Sequence, residues 1–251
     1  MKVWFVGAGP GDPELLTIKA HRLLSQCQCC IWAGSLVNPD ILKIVPDKAA
    51  IYDSAKLPLD EIIAIMSEYH SKNTDVIRLH TGEPSLFGAI GEQIIELEKL
   101  GIDHEIVPGI SSFQASAAIV KTELTMPDIS QTVIITRTEG RTPMPSTQSL
   151  EQIGPLKATL CIFLSIDKID SVLKRLAPFY GESCPAVAIY HASWPDQKVV
   201  RGTIENLARK AHEAGMSRTG MILVGEALGK STNKSKLYDS TFSHGFRKGS
   251  E

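Results

Sequence analysis

The 251-residue chain lacks an excess of basic charge, with a formal net charge of −2. A nucleic-acid-binding domain usually carries a net basic surface, so no nucleic-acid partner is expected, and only a local basic patch for an acidic small molecule stays open. No apolar run reaches the roughly 20 residues that a membrane-spanning helix needs. A second CxxC pair to partner the one at Cys27 and Cys30 is missing as well. The five cysteines present, Cys27, Cys29, Cys30, Cys161 and Cys184, are odd in number. Cys27 and Cys30 stand at CxxC spacing, but no second pair and no HxxxH pattern accompanies them, so no metal is expected. No secretory leader precedes the strand-like run at residues 2–6, which makes free thiols in a reducing cytoplasm the expectation. Repeats and low-complexity tracts are missing too. A hydrophobic fraction of 43% with 22% charge excludes general disorder and provides for a packed core.

What is present is an alternation of strand and helix patterns. Residues 3–8 are an apolar run ending in glycines, the mark of a buried strand. Residues 13–25 follow with apolar positions at helical spacing, Asp12 as N-cap and Pro13 as first residue. Further strands are expected at residues 29–33, 76–79 and 105–107, and helices at 60–69, 89–100 and 111–120. This βα order predicts an open, mostly parallel sheet. Near residue 120 the rhythm resets. Strands at 132–136, 158–164, 186–190, 198–202 and 220–224, with helices at 166–176 and 204–214, predict a second α/β domain with a mixed sheet, antiparallel where links are short. The expected division is an N-terminal domain at 1–120, a C-terminal domain at 121–225 and a polar tail at 226–251.

Gly7-Ala8-Gly9-Pro10-Gly11-Asp12-Pro13 sits between a strand and a helix, where a dinucleotide-binding loop would sit. The detail fails. Asp12 replaces the last glycine of GxGxxG, and a carboxylate there competes with a pyrophosphate for the helix amides. Pro10 removes one N–H donor, and no Gly-Lys-Ser/Thr follows. The loop therefore suits a ligand that is not a phosphate or, taken alone, is a plain βα turn. Two further strand ends carry glycine: His80-Thr81-Gly82-Glu83-Pro84, continued by Ser85, Leu86, Phe87 and Gly88, and Val107-Pro108-Gly109-Ile110-Ser111-Ser112. Ligands of open α/β sheets bind outside the carboxyl ends of the strands. Three such ends around one pocket would mix apolar contacts, backbone polar groups and hydroxyls, which suits adenosine and a methionine moiety.

These three segments resemble the tetrapyrrole methylase superfamily, whose members make corrinoids and sirohaem. The resemblance runs over nearly the whole chain, from residue 3 to about 225. Within it, three more segments resemble the branch that methylates C11 of precorrin-4 in cobalamin biosynthesis. They are Trp32-Ala33-Gly34-Ser35-Leu36-Val37, the run 131–136 followed by Arg137-Thr138-Glu139-Gly140-Arg141-Thr142-Pro143, and Tyr190-His191-Ala192-Ser193-Trp194-Pro195-Asp196. The resemblance implies a two-domain α/β homodimer that holds S-adenosylmethionine in the cleft between domains. By position, Pro10 would line the cofactor site from the first loop, Thr81, Gly82, Glu83 and Leu86 from the second, and Ser111 and Ser112 from the third. Leu164, Ala192 and Met221 would contact it from the second domain, with plain core as the competing reading for Leu164 and Met221. Two departures stand out. The second loop commonly reads Gly-Asp-Pro, where this chain has Gly82-Glu83-Pro84, so the role of the longer carboxylate is open. The uroporphyrinogen-methylating branch tends to carry Tyr-Asp-Arg-Leu-Val where this chain has Ala33-Gly34-Ser35-Leu36-Val37, which argues against that substrate.

A sulfonium methyl is already activated, so such an enzyme mainly has to orient it toward a macrocycle carbon. Orientation can supply roughly 7–11 kcal/mol of barrier lowering, and no catalytic triad is expected. Asp53, Glu139 and His191 are candidates to move the proton released by the macrocycle, each weighed against a capping or hydrogen-bonding role. An acidic tetrapyrrole would call for arginine, which matches carboxylates bidentately. Arg137 and Arg141 are the first candidates, ahead of Lys56 and Arg201. The competing functions are a methylase of another precorrin position, a nicotinamide oxidoreductase and a non-catalytic corrinoid-binding protein.

Overall fold

Short apolar runs that end in glycine, histidine or valine become the parallel strands of a first sheet. A computed structural model describes residues 1–140, 142–229 and 235–248. Strands β1 (Lys2–Gly7), β2 (Cys29–Trp32), β3 (Ala50–Asp53), β4 (Val76–His80) and β5 (Asp103–Val107) lie in the order β3-β2-β4-β1-β5. Every pairing among them is parallel. Strand alternation sends Val3 and Phe5 to one face and Val6 to the other. On the first face Phe5, Ile31 and Val76 pack with Met66 of α2 (Leu59–Ser71) and Leu97 of α3 (Ile90–Lys99). On the second, Val6, Ile77 and Leu79 pack with Ala20 and Leu24 of α1 (Ile18–Gln26). Both faces are covered, so β4 is buried at every residue, as a central parallel strand must be. Helix α4 (Ser112–Val120) follows β5.

Two local expectations are corrected. The helix expected over 13–25 is broken: Pro13–Leu15 is a short 3-10 turn capped by Asp12, and α1 begins at Ile18. Leu16 and Thr17 are extended, and the Thr17 hydroxyl accepts the Ala20 N–H at 3.1 Å, a second N-cap inside the apolar pattern. Strand β3 is an addition. It lies at the edge of the sheet, half-buried, with Ile51 exposed, so it carries no apolar run that would announce it.

The second sheet comprises β6 (Val133–Arg137), β7 (Thr159–Phe163), β8 (Pro185–Tyr190), β9 (Lys198–Thr203) and β10 (Gly220–Val224) in the order β6-β7-β10-β8-β9. The β6–β7 pair is parallel and the other pairs are antiparallel. Leu160, Ile162, Ala188 and Ile222 pack with Leu150 of α5 (Leu150–Ile153), Ile169 and Leu173 of α6 (Ile169–Tyr180) and Leu207 of α7 (Leu207–Glu213). The chain thus forms two compact units. One is Met1–Ile119 with the β8–β9 link His191–Gln197; the other is Val120–Tyr190 with the described residues from Lys198 on. All five cysteines are buried and unbridged, and burial pushes the Cys161 thiol up to about 12. No helix among the described residues is long and apolar enough to cross a membrane.

Candidate cofactor site at the strand ends

In the first unit, β1 lies between β4 and β5, with Gly7 level with His80 and Val6 level with Val107. The three glycine-bearing loops therefore leave the sheet side by side. Their glycines touch. A Cβ on Gly109 would stand 2.1 Å from the Gly82 carbonyl oxygen, and one on Gly7 would stand 2.6 Å from that same oxygen. Main-chain bonds join the loops further: the Gly82 N–H donates to the Gly9 carbonyl at 2.8 Å, and the Gly9 N–H returns one to Gly82 at 3.3 Å. The Glu83 carboxylate completes the junction, accepting the Gly109 N–H at 2.9 Å and the Ser85 N–H at 2.9 Å. Burial would raise the pKa of this carboxyl, but the bonds from Ser85 and Gly109 outweigh burial and hold it below the usual carboxylate range. Glutamate has the reach to span both amides, so its carboxylate is used inside the protein.

The first loop spends its donors internally. The Ala8 N–H goes to the His80 carbonyl, Gly9 to Gly82, Leu15 to Asp12 and Leu16 to Pro13. The Glu14 N–H goes to the Asp12 carboxylate at 2.9 Å, and the Asp12 N–H to Ser193 Oγ at 3.0 Å. A pyrophosphate cradle needs such amides pointing at a ligand; here they are occupied. The link 191–197 braces this loop. Trp194 Nε1 donates to the Pro10 carbonyl at 2.9 Å, and its ring lies so close to Gly11 that any Cβ there would overlap it. From below, Asn38 Nδ2 donates to the Gly11 carbonyl at 2.8 Å. Sequence reasoning passed over Asn38, Ser193 and Trp194 as loop braces. The only signal for two of them was their place in the Ala192-Ser193-Trp194-Pro195-Asp196 segment, which was read toward substrate.

Of the expected cofactor residues, Pro10, Thr81, Gly82, Glu83, Leu86, Ser111, Ser112 and Ala192 all lie in this unit. Thr81 Oγ1 donates to the Leu36 carbonyl at 3.3 Å. Ser111 precedes α4, and its N–H donates to Gln114 Oε1 at 2.9 Å, half of a capping box. Ser112 is the first residue of α4. Ala192 is buried between His191 and Ser193, both with positive φ. The His191 ring stacks on Trp194 with centroids 4.6 Å apart, and its Nδ1 pairs with Asp196 at 2.9 Å. Asp53 accepts the Gly34 N–H at 3.1 Å and the Ala55 N–H at 3.0 Å, while Lys56 stands 4.0 Å from it at the surface. His80, beneath the second loop, is pushed down to about 3 by burial and by the Arg78 cation, so it stays neutral.

The remaining candidates lie in the second unit. Arg137 ends β6 level with Phe163, so Leu164 follows at the same end of the sheet; Met221 lies there too, since Ile222 is level with Ile162. Met221 is buried, whereas Leu164 is 62% exposed. The Arg137 guanidinium donates to the carbonyls of Thr138 at 3.3 Å, Thr142 at 3.2 Å and Pro143 at 2.7 Å, holding its own loop. Glu139 pairs with Arg175 at 2.5 Å. Arg201 donates to the Val120 carbonyl at 2.6 Å. Arg141 lies outside the described residues.

Two sheets of this topology with glycine-joined strand ends invite comparison with known proteins. A model of the tetrapyrrole (corrin/porphyrin) methylases matches residues 2–208. The chain belongs to this family. As a tetrapyrrole methylase it is 50% identical, over 98% of its own length and 96% of the relative's, to a cobalt-precorrin-4 C(11)-methyltransferase of Methanocaldococcus jannaschii. Among solved structures, an X-ray structure of a cobalamin-biosynthetic cobalt-precorrin-4 methyltransferase superposes with a TM-score of 0.89 at 40% identity, covering 91% of this chain and 96% of that one. The uroporphyrin-III C-methyltransferase of Thermus thermophilus complexed with S-adenosylhomocysteine superposes at 0.73 with 26% identity, covering 91% and 93%.

Proposed function

We propose that this methylase transfers the methyl group of S-adenosylmethionine to C11 of precorrin-4 or cobalt-precorrin-4 in cobalamin biosynthesis. The observation that carries the reading is the likeness, along nearly the whole of both chains, to a cobalt-precorrin-4 C(11)-methyltransferase. The first unit's strand ends fit the cofactor. They offer a floor of main chain without side chains at Gly7, Gly82 and Gly109, hydroxyls at Thr81, Ser111 and Ser112, and apolar groups at Pro10, Leu86 and Ala192. Glu83 takes part through its main chain, because its carboxylate holds Gly109 and Ser85. The occupied amides of the first loop disfavour a nicotinamide dinucleotide.

When bound, S-adenosylmethionine supplies an electrophilic sulfonium methyl. The chain's own residues bind and orient. Arg137 holds its loop through the carbonyls of Thr138, Thr142 and Pro143, and Arg141 is by its chemistry the candidate partner of the substrate's carboxylates. Asp53 and Glu139 spend their carboxylates on amides and on Arg175, and His191 spends Nδ1 on Asp196 and its ring on Trp194, so a structural role accounts for each of the three. The family resemblance also carries a cytoplasmic homodimer, and sedimentation of the purified protein tests the dimer.

The test is calorimetric titration with S-adenosylhomocysteine, followed by turnover of precorrin-4 and cobalt-precorrin-4 with a ¹³C-labelled methyl donor. Carbon NMR of the product should place the label on C11, and comparison of the two substrates decides whether cobalt is present. A label on another carbon, or no binding of S-adenosylhomocysteine, overturns the reading. Arg141→Ala should raise KM for the corrinoid while leaving cofactor affinity alone; unchanged kinetics would remove Arg141 from the site.

A further inference from the structure

Arg78 is a charge inside an apolar layer. It lies midway along β4, level with Phe5 of β1 and Ile31 of β2, and is only 5% exposed. Burial lowers its pKa to about 10, which still leaves it a cation at neutral pH, and among the described residues no carboxylate pairs with it. Its Nε donates to Gln93 Oε1 at 3.0 Å and its Nη1 to the Ile31 carbonyl at 3.3 Å. Gln93 is buried too, and its Nε2 donates to the Ala89 carbonyl at 3.0 Å. A chain of hydrogen bonds thus runs from the middle of β4 to the residue that caps α3. That residue has a backbone φ of 49° and gives α3 no side-chain cap. Phe87 is left-handed as well, with φ of 57°, and a Cβ on Gly88 between the two would stand 2.2 Å from the Pro84 carbonyl oxygen. Left-handed backbone is costly for residues that carry a Cβ and persists only where the surroundings over-determine it. Glu83 fixes the start of this loop through Ser85 and Gly109; the chain from Arg78 through Gln93 fixes its end.

The loop so fixed borders the point where the winding of the first sheet changes direction. From β1 the chain passes β4 to reach β2, with α1 on one face of the sheet. From β4 it passes β1 to reach β5, with α3 on the other face. Ligands of open α/β sheets enter the crevice at such a point. We infer that Arg78 and Gln93 are positioning residues: they hold the Ala89 turn, and with it the loop after β4, in the form that receives the cofactor at the crevice between β1 and β4. A role in the fold alone would not call for a charge here. Desolvating an unpaired cation is costly, and an apolar pair of similar volume holds a core as well or better. The inference rests on the methylase reading and takes the place of the cofactor from the strand order alone.

The experiment measures S-adenosylhomocysteine affinity, KM and kcat with S-adenosylmethionine, amide hydrogen exchange over residues 81–93, and thermal midpoint. It compares the wild-type protein with Arg78→Met, Gln93→Leu, the Arg78→Met/Gln93→Leu double variant and Gln93→Glu. Each single apolar variant should weaken affinity and raise KM by about tenfold, the worth of one hydrogen bond to a charged group. Its kcat should stay within about twofold, as when binding common to ground and transition states is lost. Exchange should quicken over residues 84–90, and the thermal midpoint should fall because one buried polar partner is stranded. The double variant strands none, so its thermal midpoint should recover while its affinity stays as poor as that of the singles. Should Arg78→Met fold too poorly to assay, the double variant and Gln93→Glu carry the comparison. Glutamate keeps an acceptor for Arg78 but has no proton for the Ala89 carbonyl, so KM and exchange should still rise. Unchanged affinity in the variants, whatever the exchange shows, or affinity that recovers along with the thermal midpoint in the double variant, would each overturn the inference. If the wild-type protein itself fails to bind S-adenosylhomocysteine, it is the methylase reading that falls.

Discussion

The loops at the carboxyl ends of β1, β4 and β5 are held by main chain against main chain, whereas those after β6 and β7 are held by side chains. In the first unit Gly7 and Gly109 meet the Gly82 carbonyl with no room for a Cβ on either, and Gly9 and Gly82 exchange amide bonds. In the second, Arg137 ties down three carbonyls, Ser165 clasps Thr138, and Arg175 draws in Glu139 and Glu151. A main-chain junction fixes backbone atoms to within a bond length and lets a ligand approach the backbone itself. It accepts almost no substitution. A side-chain junction sets where side chains stand and can change in small steps.

Substitutions at the main-chain junction should be the most damaging. Gly109→Ala places a carbon 2.1 Å from the Gly82 carbonyl oxygen. Neither partner is the end of a flexible side chain, so the loops must part. The expected cost is about 3 kcal/mol, the upper end of the usual overpacking range, together with loss of S-adenosylhomocysteine binding. A urea midpoint equal to that of the wild type would show that the loops are not locked.

Glu83→Gln comes next. Glutamine keeps the length but offers one acceptor oxygen and a donor, so one of the two N–H groups now held by the carboxylate loses its partner. The expected loss is about 1–2 kcal/mol, as for a charge-assisted bond. The sign with pH follows from the lowered pKa of Glu83. Its contribution is fully present above the ordinary carboxylate range and is lost as pH falls through the folded-state pKa. Denaturant melts of wild type and Glu83→Gln should therefore converge in acid; a constant gap down to the acid limit would argue against the carboxylate as the clasp.

Most of the strands were legible because a parallel strand buried on both faces leaves an apolar run bounded by turn residues, as at Val76–His80. β3 was not, because an edge strand with an exposed Ile51 leaves no such run. The break before α1 was hidden by spacing. Leu15, Leu16 and Ile18 fit a helical stripe, yet Ile18 is 91% exposed and Thr17 is a cap. At the site, the three glycine loops were visible as local patterns. Their fastenings were not, since Trp194 reaches Pro10 across 184 positions, Ser193 reaches Asp12 across 181, and the Glu83 carboxylate reaches Gly109 across 26. Local propensity carries no record of such partners. The sequence pointed to Arg137 by its chemistry, but its carbonyl partners depend on a loop conformation that no spacing rule encodes.

Trp194→Phe lies between the two modes, a side chain fastening the main-chain junction. Phenylalanine keeps most of the ring packed against Gly11 and removes only the bond to the Pro10 carbonyl. The expected cost is about 1 kcal/mol of stability, with S-adenosylhomocysteine affinity falling severalfold because the first loop loses a brace. An unchanged affinity beside a lowered melting temperature would confine Trp194 to the fold and weaken the contrast drawn above.

The smallest effect is expected in the second unit, at Arg175. Its guanidinium meets Glu151 through two bonds, at 2.6 and 2.8 Å, and Glu139 through a third. The bond from Arg175 is the main reason the Glu151 carboxyl is held down at about 2. Its contribution is therefore present at neutral pH and is lost as pH falls from the ordinary glutamate range toward 2. The Glu151 side chain is 47% exposed, however, so solvent screens the pair and Arg175→Met should cost at most about 1 kcal/mol. Salt then separates the two modes. Most of the Arg175→Met deficit should vanish at an ionic strength of about 1 M, where the screening length falls to about 3 Å. The Glu83→Gln deficit should persist there, because that carboxylate is joined directly to two amides inside the loop junction. Equal salt sensitivity in the two variants would mean that the junction of the first unit is held by long-range charge rather than by contact.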